Sequence, residues 1–219
     1  MLETNIERVL KEIAAGNDRG EAITLVAATK TVPAEIINRA VECGVKIVAE
    51  NRVQEFREKY PLIRGAVHHF IGHLQTNKVK YLIGKVALIQ SVDSVNLANV
   101  ISEEAAKKGA LQDILVEVNI GGELSKSGFT PENTEEAVKE ISALPRLRVK
   151  GLMAMLPKTE DERLKIDLCT KMRGIYDRLK AEGCPFEHLS IGMSEDYTTA
   201  IRCGSNMIRL GSALFGKRS

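Results

Sequence analysis

The stretch Ile23-Thr24-Leu25-Val26-Ala27-Ala28-Thr29-Lys30 decides the fold. It is a short apolar run, rich in β-branched residues, that stops abruptly at a lysine. Such a run is the pattern of a strand buried on both faces. Thr31, Val32 and Pro33 follow, and a helical pattern then begins. Pro33 suits a first helical turn, Ile36, Ile37, Ala40 and Val41 share one face, and Gly44 ends the helix. Lys30 is thereby placed at the carboxyl end of a strand, the end at which parallel α/β folds bind ligands. An amine held against apolar walls has its charged form disfavoured and can become a nucleophile toward carbonyls. The alternative is a strand-end lysine pointing into water, and the rest of the chain decides between the two.

Outward from this unit the pattern repeats. Further strands are predicted at 45–49, 67–71, 86–90, 114–118, 149–155, 189–192 and 207–210. Helical stripes lie between them, around Val53 and Phe56, around Val79, Leu82 and Ile83, and from a Ser94 cap through Leu97, Ile101 and Ala105. Others run from Thr130-Pro131 through Ala137, Val138 and Ile141, through Leu164, Leu168, Met172, Ile175 and Leu179, and from Ser194 through Ala200 and Ile201. A short helix is expected at 211–216. Ahead of the first strand, Leu2, Ile6, Val9, Leu10 and Ile13 form one face of an N-terminal helix, with Thr4 and Glu7 at capping-box spacing. Strand then helix, about eight times over, argues an α/β chain folded as a single (β/α)8 TIM barrel with an extra N-terminal helix, one domain over 1–219. An open doubly wound sheet is the rival. No Gly-x-Gly-x-x-Gly follows a strand and no Walker-type loop occurs, which weakens nucleotide readings.

Composition narrows the function. Of 219 residues, 44% are hydrophobic, enough for a sizeable core. Lys plus Arg is 31 against 29 Asp plus Glu, a formal net charge of +2 with no like-charge block. Lys217 and Arg218 are too few for a nucleic-acid arm. Aromatic residues are 4% with no Trp, which argues against base-stacking platforms. Cys43, Cys169, Cys184 and Cys203 lack metal-ligand or redox-motif spacing, so reduced thiols in a cytoplasmic protein are expected. Neither a signal peptide nor a membrane-spanning run is seen.

Polar residues gather at the predicted strand ends: Lys30, Asn51, His73, Ser91, Asn119, Ser194 and Arg209. In a barrel those ends converge on one mouth. The segment Arg209-Leu210-Gly211-Ser212 opens a short helix with backbone N–H groups at Gly211 and Ser212. A glycine allows close approach of an anion, and a helix N-terminus favours negative charge. The loops after strands seven and eight are the usual barrel phosphate site, and Ser194 can add a hydroxyl donor. Phosphate beside a Schiff-base lysine suggests either a phosphosugar aldolase or a protein that uses pyridoxal 5′-phosphate (PLP).

Five motifs then carry a resemblance. They are Ala27-Ala28-Thr29-Lys30; Glu50-Asn51-Arg52-Val53-Gln54-Glu55; Phe70-Ile71-Gly72-His73-Leu74-Gln75-Thr76-Asn77-Lys78; Ser190-Ile191-Gly192-Met193-Ser194-Glu195-Asp196; and Ile208-Arg209-Leu210-Gly211-Ser212-Ala213-Leu214-Phe215-Gly216. Together they resemble the YggS/PROSC family of PLP homeostasis proteins, related to the barrel domain of alanine racemases and so to fold-type-III PLP proteins. The resemblance covers nearly the whole chain. Ala49 and Ile191 depart from it, where Gly and Met are expected. It implies PLP held as an aldimine on Lys30, phosphate bound by Ser194, Gly211 and Ser212, Arg209 facing the pyridine nitrogen, and Asn51 lining the pocket.

An arginine there holds its own proton and leaves the ring a weak electron sink. Racemases, as the resemblance implies, add a tyrosine base from a further β-domain of a partner subunit. This sequence ends at Ser219, directly after the barrel, and none of Tyr60, Tyr81, Tyr176 and Tyr197 sits in a matching motif. The expectation is a monomeric cytoplasmic PLP carrier that supplies apoenzymes, with no catalytic residue and no metal. A low-activity amino-acid racemase is the alternative. The loop Gly122-Glu123-Leu124-Ser125-Lys126-Ser127-Gly128 is expected at the same mouth, with Lys126 as a transient second amine for PLP.

Overall fold

A computed structural model describes residues 1–216; Lys217, Arg218 and Ser219, including the terminal cations weighed above, lie outside the described residues. Eight strands close in chain order into a parallel barrel. They are β1 (Thr24–Ala28), β2 (Ile47–Glu50), β3 (Val67–Phe70), β4 (Leu88–Val92), β5 (Gln112–Val118), β6 (Leu147–Ala154), β7 (His188–Ser190) and β8 (Met207–Leu210). The surrounding helices are α1 (Leu2–Ile13), α2 (Ala34–Glu42), α3 (Val53–Lys59), α4 (Val95–Lys107), α5 (Thr134–Ser142), α6 (Glu162–Ala181), α7 (Tyr197–Arg202) and α8 (Ser212–Phe215).

Alternation along β1 shows why its run is apolar throughout. Val26 points into the barrel with Ala49, Leu88, Leu115, Met153 and Met207. Leu25 and Ala27 point outward into a second cluster with Ile6 and Val9 of α1, Ile37 of α2, and Ile208 and Leu210. Both faces are buried, so neither can be polar. The N-terminal helix α1 packs on α2 and α8, covering the β1–β8 side of the ring. A third cluster, from Phe56 round to Ala200, fills the space between strands and helices on the other side.

Several boundaries differ from the sequence reading. α1 begins at Leu2 with no side-chain cap, so Thr4 lies inside it and the Thr4–Glu7 box does not start the helix. Of the stripe at Val79, Leu82 and Ile83, Val79 lies in a 3-10 helix (Thr76–Tyr81), a tighter winding used in short connectors, and Leu82 and Ile83 lie in the turn that follows it. α5 begins at Thr134, three residues beyond Pro131. Ser94 does cap α4, accepting from Leu97 N–H at 3.2 Å. Ser194 does not open α7, whose N-cap is Asp196.

β4 and β6 each carry one residue more than β5 between the same rungs: Ile89 to Val92 and Val149 to Leu152 both face Ile114 to Val116. These are β-bulges, which re-aim side chains near sites. On β6 the bulge holds Gly151 at φ +147°, and a Cβ there would lie 1.8 Å from the His188 carbonyl oxygen.

Candidate functional site

The carboxyl ends of the strands enclose a cavity of about 320 Å³, within the range of small-molecule sites. Lys30, Asn51, Ile71, His73, Glu117, Lys126, Met155, Met193 and Arg209 line it. Lys30 follows β1 at i+1 of a turn closed by Val32 N–H on Thr29 O at 2.9 Å. The lysine is exposed at the cavity edge rather than sheathed by apolar walls. Asn51, just past β2, presents a buried amide oxygen with no partner among the described residues. A buried amide oxygen left unbonded in a cavity marks a place for a ligand donor.

Arg209 forms the floor. Its period-two neighbour Met207 also faces inward, which fixes its direction. Arg209 is 4% exposed. It donates to Ser190 O at 2.9 Å, Ser190 Oγ at 2.6 Å and Ala154 O at 3.0 Å. These use three of the five N–H groups of a guanidinium and leave capacity for a ligand. Burial pulls its pKa down to about 10, opposed by the charges of Glu117 and Asp196. It is therefore still a cation at neutral pH.

The network extends across the barrel. Ser190 Oγ donates to Gln90 Oε1 at 2.7 Å, and Gln90 Nε2 meets His69 Nδ1 at 3.1 Å. Desolvation holds His69 down to about 3, so it is neutral. With Nδ1 accepting, the neutral ring carries its proton on Nε2.

Glu117 is the carboxylate of the cavity, and the sequence reading missed it. It is 4% exposed on β5. Burial and the charge of Asp93 push its pKa up to about 7, against the attraction of Arg209, His73 and Lys126. The signal lay in the sequence: a lone Glu between Val116 and Val118 in a doubly buried strand is out of place unless a ligand or a cation meets it.

Other expected residues have different work. Ser91 lies inside β4 and donates to Gly72 O at 2.6 Å, which fixes the turn before His73. A Cβ on Gly72 would lie 2.0 Å from Asn51 O, so glycine is needed for the β2 and β3 ends to approach. His73 is exposed, with Nδ1 3.0 Å from Asp93 Oδ2. Asn119 braces the following loop, donating to Glu123 O at 2.8 Å and Lys126 O at 3.3 Å. That loop does reach the mouth, where Ser125, Lys126 and Ser127 line the cavity.

The expected phosphate residues do not line this cavity. Gly211 and Ser212 border a neighbouring one with Thr31, Val32 and Pro33. Ser194 Oγ accepts from Gly211 N–H at 3.2 Å and from Ala213 N–H at 3.1 Å. The Gly211 donor is thus bonded to Ser194, while the Ser194 hydroxyl proton remains to be donated.

Among the described residues no cluster suited to a metal ion occurs, and no helix is long and apolar enough to cross a membrane.

Residues 2–219 match the family described as alanine racemase, N-terminal domain. The chain is 43% identical to a pyridoxal phosphate homeostasis protein of Aquifex aeolicus, over 97% of this chain and 95% of that one. PipY of Synechococcus elongatus, solved with PLP bound, superposes with a TM-score of 0.85 at 27% identity, covering 97% of this chain and all of that one. An alanine racemase of Clostridium difficile shares the fold, with a TM-score of 0.79 at 18% identity, and is covered over 55% of its length. The chain therefore belongs to the alanine racemase N-terminal domain family, within its branch of pyridoxal phosphate homeostasis proteins.

Proposed function

We propose that this chain binds PLP reversibly, with Lys30 as its covalent anchor, and serves PLP homeostasis by holding the cofactor and passing it to apoenzymes. The observation that carries the reading is the convergence of Lys30, Asn51 and Arg209 on one cavity. Relatives named for PLP homeostasis, and a solved neighbour with PLP bound, support it. The residues fit the group: an amine, an unbonded buried amide oxygen, a buried cation with N–H groups to spare, and a hydroxyl at a helix start.

PLP when bound would supply an aldehyde that condenses with a primary amine, releasing water. Lys30 Nζ would provide that amine. Arg209 would donate an N–H to the ring nitrogen and keep its own proton, because even at about 10 its pKa lies well above neutrality. Asn51 would line the ring's side of the pocket. The Ser194 hydroxyl, with Gly211 and Ser212 at the start of α8, would hold the phosphate on the side of the neighbouring cavity, the Gly211 N–H exchanging its bond to Ser194 for one to the ligand. Lys126, on the loop over the mouth, offers a second amine during entry or exit. The reading extends to one cofactor-binding unit over 1–219, monomeric and cytoplasmic; the four free cysteines accord with a reducing compartment.

The test is a titration of apoprotein with PLP, followed by the yellow absorbance of the lysine-bound cofactor. Wild type develops it and Lys30→Ala does not. Holoprotein then reactivates a PLP-dependent apoenzyme. Equal absorbance in the variant would reject the anchor.

A further inference from the structure

The turn that carries Lys30 is held from beneath by a buried ionic network. Its residue i+2 is Thr31, at φ +61°. That position in a type II turn favours glycine, and a β-branched residue there is strained. Such strain persists only where the surroundings over-determine it. Here they do. Lys59, the last residue of α3, uses all three ammonium protons: on Thr29 O at 2.9 Å, on Glu50 Oε1 at 2.9 Å and on Glu55 Oε2 at 3.0 Å. Glu55 Oε2 accepts the Thr31 N–H at 2.7 Å, and Glu50 Oε1 accepts the Thr29 hydroxyl at 2.7 Å. The backbone is gripped immediately before and immediately after Lys30 by groups that meet on one ammonium.

The network is an unusual investment for a surface turn. Thr29 is 0% exposed, the Glu50 side chain 3% and the Lys59 side chain 13%. Glu50 Oε2 is buried without a partner among the described residues, a cost the fold accepts. If the network served only to join α3 to the barrel, apolar packing would do it as well or better. What an ionic cluster adds is a fixed direction for the groups it bonds.

We propose that Lys59, with Glu50 and Glu55, is a positioning residue for Lys30, setting the turn so that the amine meets the cofactor's aldehyde carbon in reactive geometry. The inference rests on Lys30 as the PLP anchor. Holding a reactant in its attack geometry is worth orders of magnitude in effective concentration. The strap acts chiefly on covalent capture, because neither Arg209 nor Ser194 hydrogen-bonds to any of its members.

Two ligands separate this from a general structural role: PLP, and 4′-deoxypyridoxine 5′-phosphate, which has the ring and phosphate but no aldehyde. Lys59→Met should raise the dissociation constant of PLP about 10-fold, roughly 1.4 kcal/mol. It should also shift the absorbance maximum or pH midpoint of the lysine-bound form, and leave affinity for the deoxy compound unchanged. Lys59→Arg should recover part of the loss. Glu55→Ala releases the Thr31 N–H and one Lys59 proton but leaves Lys59 on Thr29 O and Glu50; it should give the same split at about 3-fold, and decides the matter if Lys59→Met does not fold. Equal weakening of both ligands, or no change in either, overturns the strap. Wild type forming no adduct on Lys30 overturns the anchor and the strap together, whereas a normal adduct with unaffected variants overturns the strap alone.

Discussion

Arg209 and Glu117 set the electrostatics of the cavity at the scale of single residues. Glu117 is a carboxyl that the fold prefers protonated, its pKa raised from 4.5 to about 7 by burial and by Asp93. A folded-state value above the unfolded one means a contribution fully present below about pH 4.5 and lost as pH rises through about 7. Glu117→Gln, neutral throughout, should therefore match wild-type apoprotein near pH 4.5 and exceed it at pH 8, by at most about 3 kcal/mol. Thermal melts at the two pH values check this; a gain of equal size at both would mean the residue titrates normally. His69 acts in the opposite sense. Its depressed value gives stability present above about 6.5 and lost as pH falls toward 3. The sequence made Arg209 legible because β8 was delimited correctly at 207–210. Glu117 was passed over because 114–118 was read as one apolar run, and Gln90 and Ser190 because a buried polar network leaves no periodic trace.

Elements place these residues, and two bulges do much of the placing. Outside β8, strand bounds read from hydrophobicity alone differ from the observed ones by up to two residues, and this relocates Ser91 into β4; Ser194 lies ahead of α7, whose N-cap is Asp196. A bulge adds a residue without altering composition, so the periodicity of β4 and β6 could not reveal it. Gly151 is a direct probe. With φ +147° and no room beside His188 O, Gly151→Ala should destabilise the chain by about 3 kcal/mol. Denaturant melts measure it; a loss below about 0.5 kcal/mol would show that β6 can flatten. The loop at 121–128 gives a kinetic prediction. Lys126 lines the cavity while Asn119 braces the loop's backbone. Lys126→Ala should leave equilibrium binding of PLP near wild type and slow transfer to an apoenzyme. Equal transfer rates would reject the relay.

The whole molecule is a barrel whose mouth gathers an amine, a cation and a carboxyl in one place, and its proposed use is carriage rather than turnover. A guanidinium that keeps its proton does not make the ring a strong electron sink. None of Tyr60, Tyr81, Tyr176 and Tyr197 lines the cavity. The groups in the cavity that could stand in as a base are His73, paired with Asp93, and Glu117. Loss of one acid or base typically costs about 10²–10⁴-fold. Solvent deuterium should therefore enter Cα of L-alanine orders of magnitude more slowly than with ordinary PLP enzymes. Exchange at enzyme-like rates, dependent on Lys30 and lost in His73→Ala, would favour a racemase instead. All of this depends on where the cofactor is bonded. The direct measurement is borohydride reduction of the PLP-loaded protein, followed by proteolysis and peptide mass mapping. The phosphopyridoxyl group should be found on Lys30, with any adduct on Lys126 minor. A principal adduct on another lysine, with Lys30 unmodified, would contradict the assignment of the site.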